Sequence, residues 1–296
     1  VLFFMLQDAF IQDIPINDIS GFFNGKIRAD VLRLDTIDPV ISGNKWFKLR
    51  FYVEEAIASG HSTIVTFGGA WSNHIVAAAA LCKIYGLHVY GIIRGEEPAV
   101  LSPTLQQARM LGMELIFISR TAYREKIIPP ELIPDPHYII PEGGYGDAGA
   151  RGAATILDHC GPGYTHYCCA VGTGTMMAGL SRAAMPGQRV TGIAVLRDMI
   201  DLEKNVAALT SSSNWQIIHD YHHGGYAKHD PLLIQFMNSF YRQTNIPSDF
   251  VYTGKLFFAI NDMVKNDFFP SGSRLLIVHS GGLQGNASLG KGTLIF

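Results

Sequence analysis

The stretch Tyr164-Thr165-His166-Tyr167-Cys168-Cys169-Ala170-Val171, followed by Gly172-Thr173-Gly174-Thr175 and an apolar segment to Ala184, reads as one strand-turn-helix unit. Its first half is a short apolar run closed by a glycine turn, the pattern of a strand buried on both faces. The same rhythm repeats outward in both directions. Strands are expected at residues 27–31, 61–67, 87–93, 114–118, 138–140, 190–196, 215–220 and 274–279. Helices are expected near 45–59, 75–85, 103–111, 147–159, 175–184, 202–209, 232–243 and 254–264. Such alternation predicts an α/β protein of three layers, α/β/α, with mostly parallel open sheets. One local irregularity is expected. The alternation of residues 27–31 slips where Leu32 and Leu34 flank Arg33, so a bulge or a strand end should lie there.

Composition narrows the class. The chain has 296 residues, 48% hydrophobic and 16% charged, with a formal net charge of −2. That suits two lobes of one enzyme-sized unit. It argues against disorder, against nucleic acid as a partner and against a basic membrane-facing surface. The cysteines Cys82, Cys160, Cys168 and Cys169 have no CxxC spacing, so neither a zinc site nor a disulfide framework is expected. Reduced thiols fit a cytoplasmic location. The apolar run Val1-Leu2-Phe3-Phe4-Met5-Leu6 lacks the features of a signal peptide, and no apolar run is long enough to span a bilayer.

Several strands end in glycine-rich turns: Gly68-Gly69, Gly143-Gly144, Gly172-Thr173-Gly174 and Gly281-Gly282. In open parallel sheets ligands bind beyond the carboxyl ends of the strands, so these turns mark one functional rim. The turn from Gly172 to Thr175 offers amides, hydroxyls and a helix N-terminus to a phosphate; the plainer alternative is a tight turn. Its third dinucleotide-fingerprint position is Met177 rather than glycine, and no G-x-x-x-x-G-K-[ST] loop exists. A small phosphorylated cofactor fits better than a dinucleotide or a triphosphate.

Lys45 follows Gly43-Asn44, a pair that permits an unusual backbone turn and can aim the amine inward. Desolvation would then lower its pKa and make it a nucleophile. Lys48, three residues on, shares its helix face. The alternative is two solvated lysines at a helix start. Ser72-Asn73-His74 could hold a carboxylate or simply cap a helix. Tyr226 and Tyr252 are loop tyrosines that either pack or act on a substrate. His219, His222, His223 and His229 match no metal motif, and no metal site is expected. His166 and His279 read as core histidines.

In order, the chain contains Asn44-Lys45-x-x-Lys48-Leu49, Gly68-Gly69-x-x-Ser72-Asn73, Gly172-Thr173-Gly174, Val251-Tyr252-Thr253-Gly254-Lys255 and His279-Ser280-Gly281-Gly282. Together these resemble the 1-aminocyclopropane-1-carboxylate deaminase and D-cysteine desulfhydrase family, over roughly residues 25 to 285. Those are pyridoxal-5'-phosphate enzymes with the tryptophan-synthase-β-like fold. The resemblance implies a large lobe (1–49 and 136–296), a small inserted lobe (50–135), the cofactor between them and a homodimer. It implies that Lys45 binds the cofactor covalently and later moves the Cα proton. Lys48 and the turn Gly172, Thr173, Gly174, Thr175 would hold the phosphate. Asn73 would meet the cofactor's ring oxygen and lie beside the substrate, whose carboxylate Ser72 and His74 would receive. Tyr252 would lie against the ring, Tyr226 near the substrate side chain, and Thr253 opposite the pyridine nitrogen.

Departures from the family pattern are Trp46-Phe47 between the lysines, His74 where the deaminases have glutamine, Met176 after Thr175, and Leu283-Gln284-Gly285 after the last glycine pair. Thr253 and Ser280 stand where the deaminases resembled carry glutamate and leucine, whereas the desulfhydrases carry hydroxyls. The expected activity is therefore α,β-elimination of a small D-amino acid such as D-cysteine, giving pyruvate, ammonia and hydrogen sulfide. The alternatives are 1-aminocyclopropane-1-carboxylate deamination to 2-oxobutanoate, a β-replacement joining two substrates, and a non-catalytic binder of a phosphorylated ligand.

Overall fold

The computed structural model describes residues 13–296, so the apolar run at 1–6 lies outside the described residues. The strands are β1 (Ile16–Asp18), β2 (Arg28–Arg33), β3 (Thr63–Gly68), β4 (His88–Arg94), β5 (Met113–Ile118), β6 (Tyr138–Ile140), β7 (His166–Val171), β8 (Arg189–Ala194), β9 (Trp215–Ile218) and β10 (Arg274–His279). They form a six-stranded sheet of order β1-β2-β10-β7-β8-β9 and a four-stranded sheet of order β5-β4-β3-β6. Apart from the antiparallel pair β1 and β2, the neighbouring strands run parallel. The helices are α1 (Asn44–Ala58), α2 (Asn73–Tyr85), α3 (Pro103–Met110), α4 (Arg120–Arg124), α5 (Asp147–Ala154), α6 (Thr175–Ala183), α7 (Leu202–Ala207), α8 (Pro231–Thr244) and α9 (Thr253–Lys265). None is long and apolar enough to cross a membrane.

All six residues of β7 are buried, because α6 covers one face of the strand and α9 the other. Adjacent Cys168 and Cys169 consequently fall into two different cores. Burial raises both thiol pKa values, and all four cysteines are free. Of the two irregularities expected where Leu32 and Leu34 flank Arg33, the strand end is found, since β2 stops at Arg33 and a 3-10 turn follows, and the bulge is not. Strand β2 pairs with β10 in unbroken register from Arg28 to Arg33. Val31 enters the core under α9, and Leu32 enters the one under α1 and α6. A strand buried on both faces has no reason to alternate. Each buried aliphatic side chain here is worth about 1.5–3 kcal/mol in transfer from water.

The smaller sheet runs past residue 135, the expected end of the inserted lobe, because β6 pairs with β3. Glycines bring three helices close enough to set the rim. A Cβ on Gly179 of α6 would meet the Ala150 carbonyl of α5 at 2.5 Å, and one on Gly152 of α5 would collide with the Phe47 carbonyl of α1. Helix α1, with its two lysines, is thereby locked beside the helix that begins at the 172–175 turn.

Candidate active site

The glycine-ended strands of both sheets open on one cavity of about 850 Å³. At its floor, Gly43 adopts φ +71, and a Cβ there would strike the Ser280 backbone. The Asn44 amide donates to the Ser280 carbonyl at 3.2 Å, which ties the start of α1 to the end of β10. Lys45 therefore emerges in the first turn of α1, facing the cavity. Its Nζ donates to Asn44 Oδ1 at 3.3 Å, and burial lowers its pKa to about 8 against the opposing pull of Asp249. Lys48 is buried, donates to Thr173 Oγ1 at 3.3 Å, and is pushed well below the usual lysine range by burial and by the Lys45 charge. The reading of two solvated lysines does not survive these positions.

Lys48 reaches the 172–175 turn, and neither it nor Lys45 has a carboxylate in ion-pair reach among the described residues. Gly174 has φ +87 and occupies the N-cap position of α6, whose first amides no side chain caps. A Cβ on Gly172 would lie 3.4 Å from the Tyr252 ring. Uncapped amides, a hydroxyl and the Lys48 amine fit a phosphate dianion. Thr175 is fully buried and off the cavity wall; its hydroxyl lies 3.0 Å from that of Thr173, which it orients.

On the opposite wall, Ser72 occupies the N-cap position of α2 but makes no capping bond. Its hydroxyl is left to the cavity, so the plain helix cap is not what the structure shows. Asn73 Oδ1 is buried without a partner, an orphaned acceptor that fits a protonated ligand oxygen or nitrogen. His74 differs from expectation. The single hydroxyl proton of Thr66 goes to the Ile140 carbonyl at 2.8 Å, so Thr66 Oγ1 must accept from His74 Nε2 at 2.7 Å. Burial and then the Lys45 and Lys48 charges hold the ring neutral, with its pKa well below the usual value. The remaining Nδ1 is a buried lone pair without a partner. His74 therefore presents an acceptor and cannot donate to a carboxylate, which leaves Ser72 and the first amides of α2 for that task.

Tyr252 and Tyr226 line the cavity with ring centroids 6.2 Å apart at 71°, Tyr226 being 44% exposed. Burial, then Tyr226, raises the Tyr252 pKa. Thr253 requires a second correction. It is fully buried and off the cavity wall, and its hydroxyl donates to Asp249 Oδ1 at 2.7 Å while accepting from the Asp249 amide at 2.8 Å. It cannot face a cofactor nitrogen. Asp249, which sequence reasoning passed over, lines the cavity instead. Its carboxylate also accepts from the amides of Val251, Tyr252 and Thr253 at 2.8–2.9 Å, and burial outweighs these bonds to raise its pKa. The signal was an acid four residues before a helix-opening Thr-Gly. Lys255 was also missed: fully buried, it donates to the Gly225 carbonyl at 2.7 Å and so holds the loop that carries Tyr226. Ser280 lines the cavity.

The remaining histidines lie elsewhere. His219 pairs with Glu203 at 2.6 Å and His223 with Asp230 at 2.8 Å. His279 Nε2 donates to the Pro247 carbonyl at 2.7 Å in the core. Among the described residues no group of three or more His, Cys, Asp or Glu could hold a metal ion.

A putative 1-aminocyclopropane-1-carboxylate deaminase of Thermotoga maritima is 29% identical over 285 residues, 86% of this chain and 88% of the relative. A D-cysteine desulfhydrase of Salmonella choleraesuis is 25% identical over 288 residues, 85% of this chain and 86% of the relative. The crystal structure of an ACC deaminase homologue superimposes with a TM-score of 0.80 at 24% identity, covering 94% of this chain and 91% of that one. An O-acetylserine dependent cystathionine β-synthase from Helicobacter pylori shares the fold, with a TM-score of 0.68 at 16% identity over 96% of this chain and 97% of that one. The architecture is the tryptophan-synthase-β-like one. Residues 14–281 match the family of pyridoxal-phosphate dependent enzymes, and the chain belongs to that family, with pyridoxal phosphate as its cofactor and small amino acids as its substrates.

Proposed function

We propose that the enzyme catalyses α,β-elimination of a small D-amino acid, with D-cysteine giving pyruvate, ammonia and hydrogen sulfide. The observation that carries this reading is the lack of a free carboxylate on the cavity wall among the described residues. Of the two acids there, Glu142 pairs with Lys126 at 2.6 Å and Asp249 is held by Thr253 and three amides. Ser280 offers only a neutral hydroxyl. Pyridoxal phosphate bound at Lys45 supplies an electron sink for the pair left at Cα, and a ring nitrogen without a carboxylate partner makes that sink a weaker one. A thiol leaves readily under those conditions, whereas an unstrained or strained carbon needs a stronger pull.

The residues divide the work as follows. Lys48, Thr173 and the first amides of α6 hold the phosphate, whose charge restores the Lys48 ammonium. Ser72 and the α2 amides take the substrate carboxylate. Lys45, lowered to about 8, is about one-tenth neutral near pH 7 and removes the Cα proton at Nζ. Tyr226, steadied by Lys255 through Gly225, faces the substrate side chain.

The higher identity of the Thermotoga maritima relative favours the second reading, 1-aminocyclopropane-1-carboxylate deamination. Specificity constants for D-cysteine and for the cyclopropane substrate decide between them. Sulfide and pyruvate release is expected to dominate; 2-oxobutanoate release without sulfide would overturn the proposal.

A further inference from the structure

The cavity wall carries four cationic side chains, Lys45, Lys48, Arg94 and Arg120, and two acidic ones, Glu142 and Asp249. The lysines face the phosphate turn, and both acids are engaged as described. Arg94 and Arg120 have no carboxylate in ion-pair reach among the described residues. Both residues sit at the carboxyl edge of the four-stranded sheet, line the cavity and are exposed to solvent. Arg94 ends β4, Arg120 opens α4, and the β4–β5 register sets Arg94 opposite Ile118. Arg94 leans against the substrate-side turn, since a Cβ on Gly69 would lie 3.6 Å from its Nη2, and its Cζ sits 5.8 Å from the Tyr123 ring centroid. Trp71, in the same turn, lines the cavity with 41% of its surface exposed. A three-carbon amino acid brings one carboxylate, which Ser72 and the α2 amides already receive. The two arginines and the indole then remain without a ligand.

We propose that Arg94 and Arg120, beside Trp71, form a subsite for a second anionic group on the substrate, carried beyond Cβ on the leaving group. The fitting class is a cysteine S-conjugate whose thiol bears a carboxylate. The reaction rests on the elimination reading: the Cα–H bond breaks at the base, its electrons form Cα=Cβ, and the Cβ–S bond breaks to release the thiolate. Water then hydrolyses the freed 2-aminoacrylate to pyruvate and ammonia. Binding at the subsite does not depend on that chemistry.

The test uses the holoenzyme and two measurements. Calorimetry compares D-glutamate with D-glutamine, and kinetics compare S-carboxymethyl-D-cysteine with its neutral near-isostere S-carbamoylmethyl-D-cysteine. The acid is expected to be preferred about 10- to 100-fold in both, the worth of one charge-assisted hydrogen bond. Raising salt should shrink the preference. Arg94→Met and Arg120→Met should each reduce it, and the double variant should bring it near one. Equal binding of glutamate and glutamine, or a preference that survives in the double variant, overturns the subsite. Glutamate preference with neither thioglycolate nor, from D-cysteine, sulfide release supports the subsite and sinks the elimination reading instead. D-cysteine turnover without acid preference does the reverse.

Discussion

Two sets of helix N-termini in this molecule are built differently. Helices α3, α4 and α8 close their own first turns: Ser102, Ser119 and Asp230 accept from the amides of Leu105, Ala122 and Leu233. Helices α1, α2, α5, α6, α7 and α9 have no bond from the N-cap side chain, and of these α2 and α6 begin at the cavity with Ser72 and Gly174 in that position. A cap is worth about 1 kcal/mol, so leaving two open is a cost in stability that a ligand can offset. The open pair also differ from each other. Around α6 the available groups are donors, the Lys48 amine and a row of amides, which call for an anion. Around α2 the orphaned atoms, Asn73 Oδ1 and His74 Nδ1, are acceptors. On the proposed reading, one wall takes the phosphate and the other meets the substrate.

The comparison breaks most severely at Lys45. Lys45→Ala is expected to lower turnover by at least about a thousandfold and to abolish the visible absorbance of bound cofactor, with the fold retained. Retention of both activity and absorbance would remove Lys45 from the chemistry. Arginine should not rescue it, since guanidinium stays protonated.

Next in size is Gly174→Asp. It places a side chain at φ +87, where a Cβ would meet Val206 Cγ2 at 2.7 Å, and it sets a negative charge at the open end of α6. Cofactor affinity, followed by fluorescence titration, should fall about a hundredfold. An unchanged affinity would send the phosphate elsewhere.

A pH series sharpens the same wall. The Lys45 pKa is depressed from 10.5 to about 8, so the neutral amine is the minor form below 8 and the major form above it. The rate at which the cofactor-free protein captures pyridoxal phosphate should rise about tenfold per pH unit below 8 and level off above it. A rate that is flat from pH 6 to 9 would contradict a titrating Lys45.

The smallest effects separate the two classes of N-terminus. Asp230→Ala should lower stability by about 1 kcal/mol in denaturant unfolding and leave KM alone. Ser72→Ala should leave stability within about 0.5 kcal/mol and raise KM roughly tenfold, because its hydroxyl makes no capping bond. If Ser72→Ala instead destabilises as Asp230→Ala does, Ser72 is a cap after all.

Sequence alone determined the parallel α/β architecture, the glycine rim and the pairing of Lys45 with Lys48. Those features follow from local rules: strand and helix periods, the left-handed backbone of glycine, and a three-residue spacing on one helix face. Lys45 and Lys48 could be paired from spacing because they share α1, and Gly172-Thr173-Gly174 because the turn is contiguous. Only the tertiary structure decided which polar atoms are free. His74 became an acceptor because Thr66 spends its proton on Ile140, 74 residues away. Thr253 left the cavity because Asp249, four residues earlier, claims its hydroxyl. The phase slip at Leu32 marks both the approaching end of β2 at Arg33, which the sequence allowed for, and a strand covered on both sides, a fact set by α1, α6 and α9 together. A hydrogen-bonding group's role depends on the partner that the fold brings to it, and no local pattern in the chain encodes that partner.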